Sequence, residues 1–219
     1  MTFQNRSHAG RALAGLLRHY ADQGDVLVFG LPRGGVPVAF EVAQELHAPL
    51  DVFVVRKLGV PGHEELAMGA IASGDVLVLN HDTLGSLDIP TQILDQVVAK
   101  ERRELARREA LYRGDRPWPV IQDRTIILVD DGLATGSTMK AAAEALRLQS
   151  PARIVVAVPV AARSTCEEFE GYVDETVCAE TPSPFYAVGV WYEDFSQTSD
   201  REVKMLLDEA SRSRAVGSA

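Results

Sequence analysis

Short apolar runs alternate with longer amphipathic stretches over most of the chain. Ala9, Leu13, Leu16, Leu17 and Tyr20 fall on one face at helical spacing, which predicts a first helix from Ser7 to about Asp22. VLVFG (26–30) reads as a buried strand that breaks at LPRGG, and VPVAFEVAQEL (36–46) has the length and period of a helix ending before Pro49. DVFVV (51–55) is a second strand-like run, rich in β-branched residues. The rhythm returns with TIILV (125–129), a helix over 137–149, RIVVAVPV (153–160), a short helix near 164–170 and DETVCA (174–179). Continuous apolar strands separated by helices imply βαβ units, hence an α/β doubly wound parallel sheet covered on both faces.

The middle of the chain departs from this rhythm. RKLGVPGHEE (56–65) is basic and glycine-containing and is expected to be a flexible loop; LAMGAIA (66–72) and DVLVLN (75–80) predict a pair of strands turning at Ser73-Gly74. PTQILDQVVAKERRELARREALYRG (90–114) predicts a long charged helix with Pro90 near its first turn, either a solvated face or a lid or subunit contact. The tail PSPFYAVGVWYEDF is unusually aromatic, and a closing helix follows it.

Composition narrows the function classes. With 22 basic against 31 acidic residues the net charge is −9, which argues against a nucleic-acid partner. The longest apolar run, IVVAVPVAA, is far below the roughly 20 residues of a membrane span, and MTFQNRSHAG lacks an apolar leader core, so a cytoplasmic protein without a membrane partner is expected. Cys166 and Cys178 match no metal or redox spacing and are expected to be two buried thiols without a disulfide.

Ligands of parallel α/β sheets bind where loops leave the carboxyl ends of the strands. ILVDDGLATGST (127–138) is such a loop, running from a buried strand into a helix. The backbone N–H groups of Ala134, Thr135, Gly136, Ser137 and Thr138, their hydroxyls and the helix dipole can together cradle a phosphate. It is not a Walker A loop, because no lysine follows Gly136. Asp130 and Asp131 therefore need another partner, and adjacent carboxylates suit a hydroxyl pair such as a ribose diol, or positive charge developing on the sugar. One small ligand bearing a phosphate and a diol would use the whole stretch.

ILVDDGLATGSTM resembles the motif by which type I phosphoribosyltransferases bind phosphoribosyl pyrophosphate (PRPP). FGLPRGGVPVA resembles that family's pyrophosphate loop, and VVRKLGVPG its strand, basic pair and flexible loop; the likeness covers residues from about 26 to 195. It implies a core over 1–180, with the flexible loop and an inserted helix within about 56–115, and a small hood with a closing helix over 181–219. It also implies that Asp130 and Asp131 hold the ribose hydroxyls, that positions 134–138 hold the 5-phosphate, and that Arg33, Gly34, Gly35, Arg56 and Lys57 meet the pyrophosphate. Mg²⁺ is implied as cofactor, near Asp130 and Asp131 through ribose hydroxyls or water. The partners implied are PRPP and a nitrogen-base substrate, purine-like, in a homodimer.

Two departures matter. Where the hypoxanthine-guanine branch has a loop aspartate as general acid/base, this chain has Ala134, so Glu64 or, preferably, Glu65 becomes the candidate catalytic acid/base beside Asp130 and Asp131. YAVGVWYEDF is similar to the 6-oxopurine hood, setting Tyr186 to stack on the base and Glu193 in the base site toward its pyrophosphate side, whereas the loop is closer to the adenine branch. A transferase and a PRPP- or nucleotide-binding regulator without turnover both remain open.

Overall fold

The computed structural model describes residues 2–217, without the side chains of Glu65 and of positions 214–217. Five parallel strands, β1 (Val26–Gly30), β2 (Leu50–Val52), β6 (Thr125–Val129), β7 (Arg153–Val160) and β8 (Glu175–Glu180), form one sheet in the order β2-β1-β6-β7-β8. Helices α1 (Arg6–Leu16) and α2 (Gly35–Glu45) cover one face, where Leu13, Leu17, Val38 and Val42 pack on Val28, Ile127 and Val155. Helix α5 (Ser137–Arg147) covers the other with Met139, Ala142 and Leu146, and α6 (Arg163–Glu170) adds Phe169. Both faces are buried, which is why β1 and β6 are buried at every position and, apart from Thr125 at the start of β6, apolar throughout.

The strands of the parallel sheet fall close to their expected ranges. The first helix does not: it ends at Leu16, and a 3-10 turn over Arg18–Tyr20 replaces its last turn. DVFVV is also divided. Its pairing with β1 stops at Val52, Phe53 and Val54 bridge, and Val55 already opens the next sheet.

The expected flexible loop after residue 55 is instead a hairpin. Strands β3 (Val55–Val60) and β4 (His63–Ala72) pair antiparallel around a turn at Pro61-Gly62, and β5 (Val76–Leu79) adds the third strand. Gly62 has φ +82°, a backbone that glycine adopts without penalty, so a two-residue turn closes in the middle of this basic stretch. Helix α3 (His81–Ser86) leads to α4 (Thr91–Arg113), whose Val98, Leu105 and Tyr112 pack with Leu58, Met68 and Ile71. The long charged helix is therefore amphipathic, solvated on one side only. Pro90 stands one residue before its first turn, as the N-cap. The closing helix α7 (Asp200–Gly217) joins the same cluster through Val203 and Leu207.

The two cysteines correct the expectation of free thiols. Packing of α6 beside β8 brings the Cα atoms of Cys166 and Cys178 to 6.6 Å, and the two are joined in a disulfide. Their separation of 12 residues fits no familiar motif, so only the tertiary packing reveals the pair.

One buried ion pair ties the inserted unit to the parallel sheet. Arg113, on the last turn of α4, donates from Nε to Asp51 Oδ1 at 3.0 Å and from Nη2 to the Pro117 carbonyl at 2.7 Å, while its guanidinium lies 4.6 Å above the Trp118 ring. Removing one partner of a buried pair leaves the other charge uncompensated, at a cost of about 3–5 kcal/mol. Asp51→Ala should lower unfolding stability by that amount in urea titration; a loss below about 1 kcal/mol, the scale of an exposed pair, would refute the anchoring role.

Candidate active site

The site is built where β1 and β6 end side by side. Gly30 pairs with Val129, and Leu31 N–H donates to the Val129 carbonyl at 2.9 Å, so the two outgoing loops start in contact. A Cβ added to Gly35 would stand 2.6 Å from the Val129 carbonyl oxygen, and one added to Gly34 would stand 2.0 Å from Asp131 Oδ2. Neither position tolerates a side chain while the carboxylate pair keeps its place. The peptide between Pro32 and Arg33 is cis.

Asp130 accepts the Asp131 backbone N–H at 2.8 Å. Burial raises the Asp130 carboxyl well above the ordinary carboxylate range, and the neighbouring Asp131 charge adds to this. Asp131 is raised as well, by burial, while Arg6 pulls it back toward ionisation. Arg6, the first residue of α1, donates from Nε at 2.9 Å and places Nη2 at 2.8 Å from Asp131 Oδ2. Its Nη1 donates to the Ser196 carbonyl at 2.7 Å, and its guanidinium stacks 4.1 Å from the Phe195 ring centroid. Tyr192 donates to the Asp131 carbonyl at 2.6 Å and packs against Phe3 and Phe195. Burial raises the Tyr192 hydroxyl, so it remains a donor at neutral pH.

Beyond the carboxylates, residues 132–139 line a cavity of about 170 Å³ together with Asp130 and Val188. Gly136, at φ +67°, opens α5 with no side chain capping it, which leaves the helix N-terminus as an anion-binding surface. Phe169 fills the space behind it, since a Gly136 Cβ would lie 2.6 Å from Phe169 Cε2. Thr165 donates to the Ala134 carbonyl at 2.7 Å. Helix α6 thus holds the loop from behind. Lys57 Nζ donates to Ser137 Oγ at 2.5 Å and brings a cation to the rim.

The expected residues divide cleanly. Asp130, Asp131, positions 134–138, Gly34, Gly35 and Lys57 come together. Arg56 does not join them: it donates to Glu101 Oε2 of α4 at 2.8 Å, because neighbours on a strand point to opposite faces and Lys57 takes the face toward the loop. The Arg33 guanidinium also turns away, lying 3.9 Å from Asp200 beside α4. Tyr186 is 78% exposed, and neither it nor Glu193 lines the cavity; Val188 is the hood residue that does. The Glu65 side chain lies outside the described residues. Arg6 and Tyr192 carry no local sequence signal, their partner Asp131 being 125 and 61 residues away.

Among the described residues no three His, Cys, Asp or Glu side chains group as a metal cage. The donors at Asp130 and Asp131 are oxygens only. They fit Mg²⁺, which commonly keeps its waters and takes one or two carboxylates plus substrate phosphates.

Comparison with known proteins agrees with this architecture. The family model of the phosphoribosyl transferase domain matches residues 4–194. A Mycobacterium tuberculosis H37Rv protein, whose name assigns it provisionally to the phosphoribosyl transferases, is 47% identical over 217 residues, covering 99% of this chain and 49% of its own length. The chain thus spans about half of that relative. The crystal structure of TT1426 from Thermus thermophilus is 41% identical, with a TM-score of 0.85 over 95% of this chain and 99% of that one. The bifunctional protein PyrR of Haemophilus influenzae Rd is 32% identical over 105 residues, 47% of this chain and 54% of its own. The chain belongs to the phosphoribosyl transferase domain family.

Proposed function

We propose that the chain transfers a 5-phosphoribosyl group from PRPP to a nitrogen heterocycle, purine-like, and releases pyrophosphate with Mg²⁺ as cofactor. The observation that carries this reading is that Asp130 and the uncapped start of α5 line one cavity, with Asp131 adjacent in the chain. In this reading the 5-phosphate sits on the N–H groups of residues 134–138 and the ribose diol donates to Asp130 and Asp131. The pyrophosphate lies along Gly34 and Gly35, with Lys57 neutralising charge at the rim. Bound Mg²⁺ would neutralise pyrophosphate oxygens and make the group a better leaving group.

The C1–O bond to pyrophosphate breaks with its electron pair leaving on oxygen, and a base nitrogen lone pair forms the new bond to C1. The base then loses its N–H proton, for which Glu65 is the proposed acceptor. Positive charge developing on the ribose is stabilised by the fixed carboxylates, so catalysis is chiefly electrostatic preorganisation and positioning. Tyr186 and Glu193 remain the proposed base contacts, which requires the hood to bring them inward from their exposed places. The reading includes a cytoplasmic homodimer without nucleic-acid or membrane partners, supported by the family resemblance and the acidic balance.

A second reading, a PRPP- or nucleotide-binding regulator without turnover, is favoured by two observations: Ala134 supplies no carboxyl to the loop, and Arg6 already engages Asp131. Pyrophosphate release from PRPP over a panel of purine and pyrimidine bases separates the two. Release with at least one base is expected, and PRPP binding with no release from any base would favour the regulator.

Two consequences of the carboxylate pair can be measured. Hydrogen bonds to a charged acceptor contribute about 1.5–3 kcal/mol each. Asp130→Asn combined with Asp131→Asn should therefore weaken PRPP binding by at least about a hundredfold in calorimetry with Mg²⁺, with circular dichroism unchanged. Unaltered affinity would remove the ribose assignment.

The second consequence concerns pH. The folded state raises the Asp130 carboxyl above its ordinary value of 3.8, so ionising it works against folding. Stability associated with the protonated form is full below that value and is lost as pH rises through the raised one. Asp130→Asn should melt higher than wild type at neutral pH, and the gap should shrink as pH falls toward 4. A gap that does not change with pH would mean that Asp130 is not held in a charge-disfavouring site.

A further inference from the structure

The loop between β1 and α2 has two faces. Gly34 and Gly35 abut Asp130 and Asp131, whereas Pro32 and Arg33 line a separate cavity of about 470 Å³ closed by Arg107, Arg108 and Tyr112 of α4 and Asp200 of α7. Arg33, Arg107 and Arg108 turn toward a common space in a protein of net charge −9. Among the described residues, two carboxylates meet these three guanidinium groups. Glu104 accepts from both Arg107, at 2.8 and 3.0 Å, and Arg108, at 2.8 Å, and Asp200 lies 3.9 Å from Arg33. Asp200 is held in addition by the Tyr112 hydroxyl at 2.6 Å. The Tyr112 hydroxyl is pushed up to about 12, by burial and by that bond, so it stays a donor.

Guanidinium groups present paired N–H donors that match phosphate oxygens. The cavity falls in the size range of small-molecule sites, about 300–1,000 Å³. Apart from Pro32, its lining is charged or hydroxylated, and its one aromatic ring, Tyr112, is a buried member of the core beneath it. Such a lining recognises anionic groups rather than an apolar face. Helix α4 and α7 belong to the inserted unit and the chain's last helix, so this space is separate from the cavity at residues 130–139.

We propose that the cavity between Arg33, Arg107, Arg108 and Asp200 is a second anion site, which takes a diphosphate group, either free pyrophosphate or the diphosphate of a nucleotide. Arg33 links it to the first site, because its peptide belongs to the loop whose glycines face Asp130 and Asp131. A ligand drawing Arg33 from Asp200 would act on the backbone of that loop. The site does not depend on phosphoribosyl transfer and would stand if the chain had no turnover.

Calorimetric titrations with pyrophosphate and with ADP test it, on the wild type alone and saturated with PRPP. Diphosphate binding that persists at saturating PRPP is expected. Arg107→Gln with Arg108→Gln should weaken it at least tenfold and leave PRPP affinity within twofold; Asp200→Asn, which removes the competing carboxylate, should tighten it severalfold. Tighter ADP assigns the site to a nucleotide, and tighter pyrophosphate assigns it to the free anion. The proposal is overturned if the arginine double variant, shown by its melting curve to be folded, binds both probes as the wild type does, or if it loses PRPP in parallel. Should PRPP itself not bind, the comparison of wild type and variant with pyrophosphate alone still decides between presence and absence of the second site.

Discussion

The pairing of Gly30 with Val129 is the constraint on which the rest of the site depends. Two neighbouring parallel strands end at the same height, so their loops must leave through one narrow space. That space admits a carboxylate pair only if the other loop has no Cβ, which Gly34 and Gly35 satisfy. The same closeness strips water from Asp130 and Asp131 and raises both carboxyls. Arg6 compensates at the Asp131 carboxylate, and the Tyr192 hydroxyl fixes the Asp131 backbone carbonyl. Shift β1 against β6 by one residue and the glycines, the carboxylates and their partners would all lose register together.

What the sequence disclosed follows from how locally each feature is encoded. The central strands β1, β6 and β7 are almost continuous apolar runs, and the loop at 130–138 holds its carboxylates, its glycine and its helix start within one stretch. The hairpin of β3 and β4 is hidden because basic residues and glycines fill it. Arg56 pairs with α4 and Lys57 with the loop, so each polar residue has its own partner, and neither face reads as buried. Arg6, Tyr192 and the Cys166–Cys178 pair are hidden for a different reason: their meaning depends on a residue distant in sequence or on an adjacent element of the fold. Arg33 shows the remaining gap, since a sequence places its backbone in a loop without saying which way the side chain leaves.

The inserted unit is not a loose appendage, because its core is continuous with Val36 of α2 and Val52 of β2. Leu58, Met68, Ile71, Val98, Leu105 and Tyr112 form it, with Val203 and Leu207 of α7 joining from the far end of the chain. The Arg113–Asp51 pair adds a polar tie to this apolar contact, joining β2 to the last turn of a helix that starts only at Thr91. Charge on α4 is accordingly divided: Glu101 and Arg113 are buried in ion pairs with Arg56 and Asp51, while Arg107 and Arg108 line the cavity beside Arg33.

Phe3 forms a bridge with Tyr192, and Arg6 reaches Ser196, so the hood is laced to the first residues of the chain. During synthesis, α1 and the early strands emerge long before their hood partners do. Until residue 196 has cleared the ribosome, Asp131 lacks its cover and the Arg6 guanidinium lacks the carbonyl and ring that fix it. Closure spans 190 residues, a long-range contact of the kind that forms late in folding. A nascent chain therefore completes the Arg6 clamp on Asp131 only after residue 196 has emerged, well after the strands that carry the carboxylates.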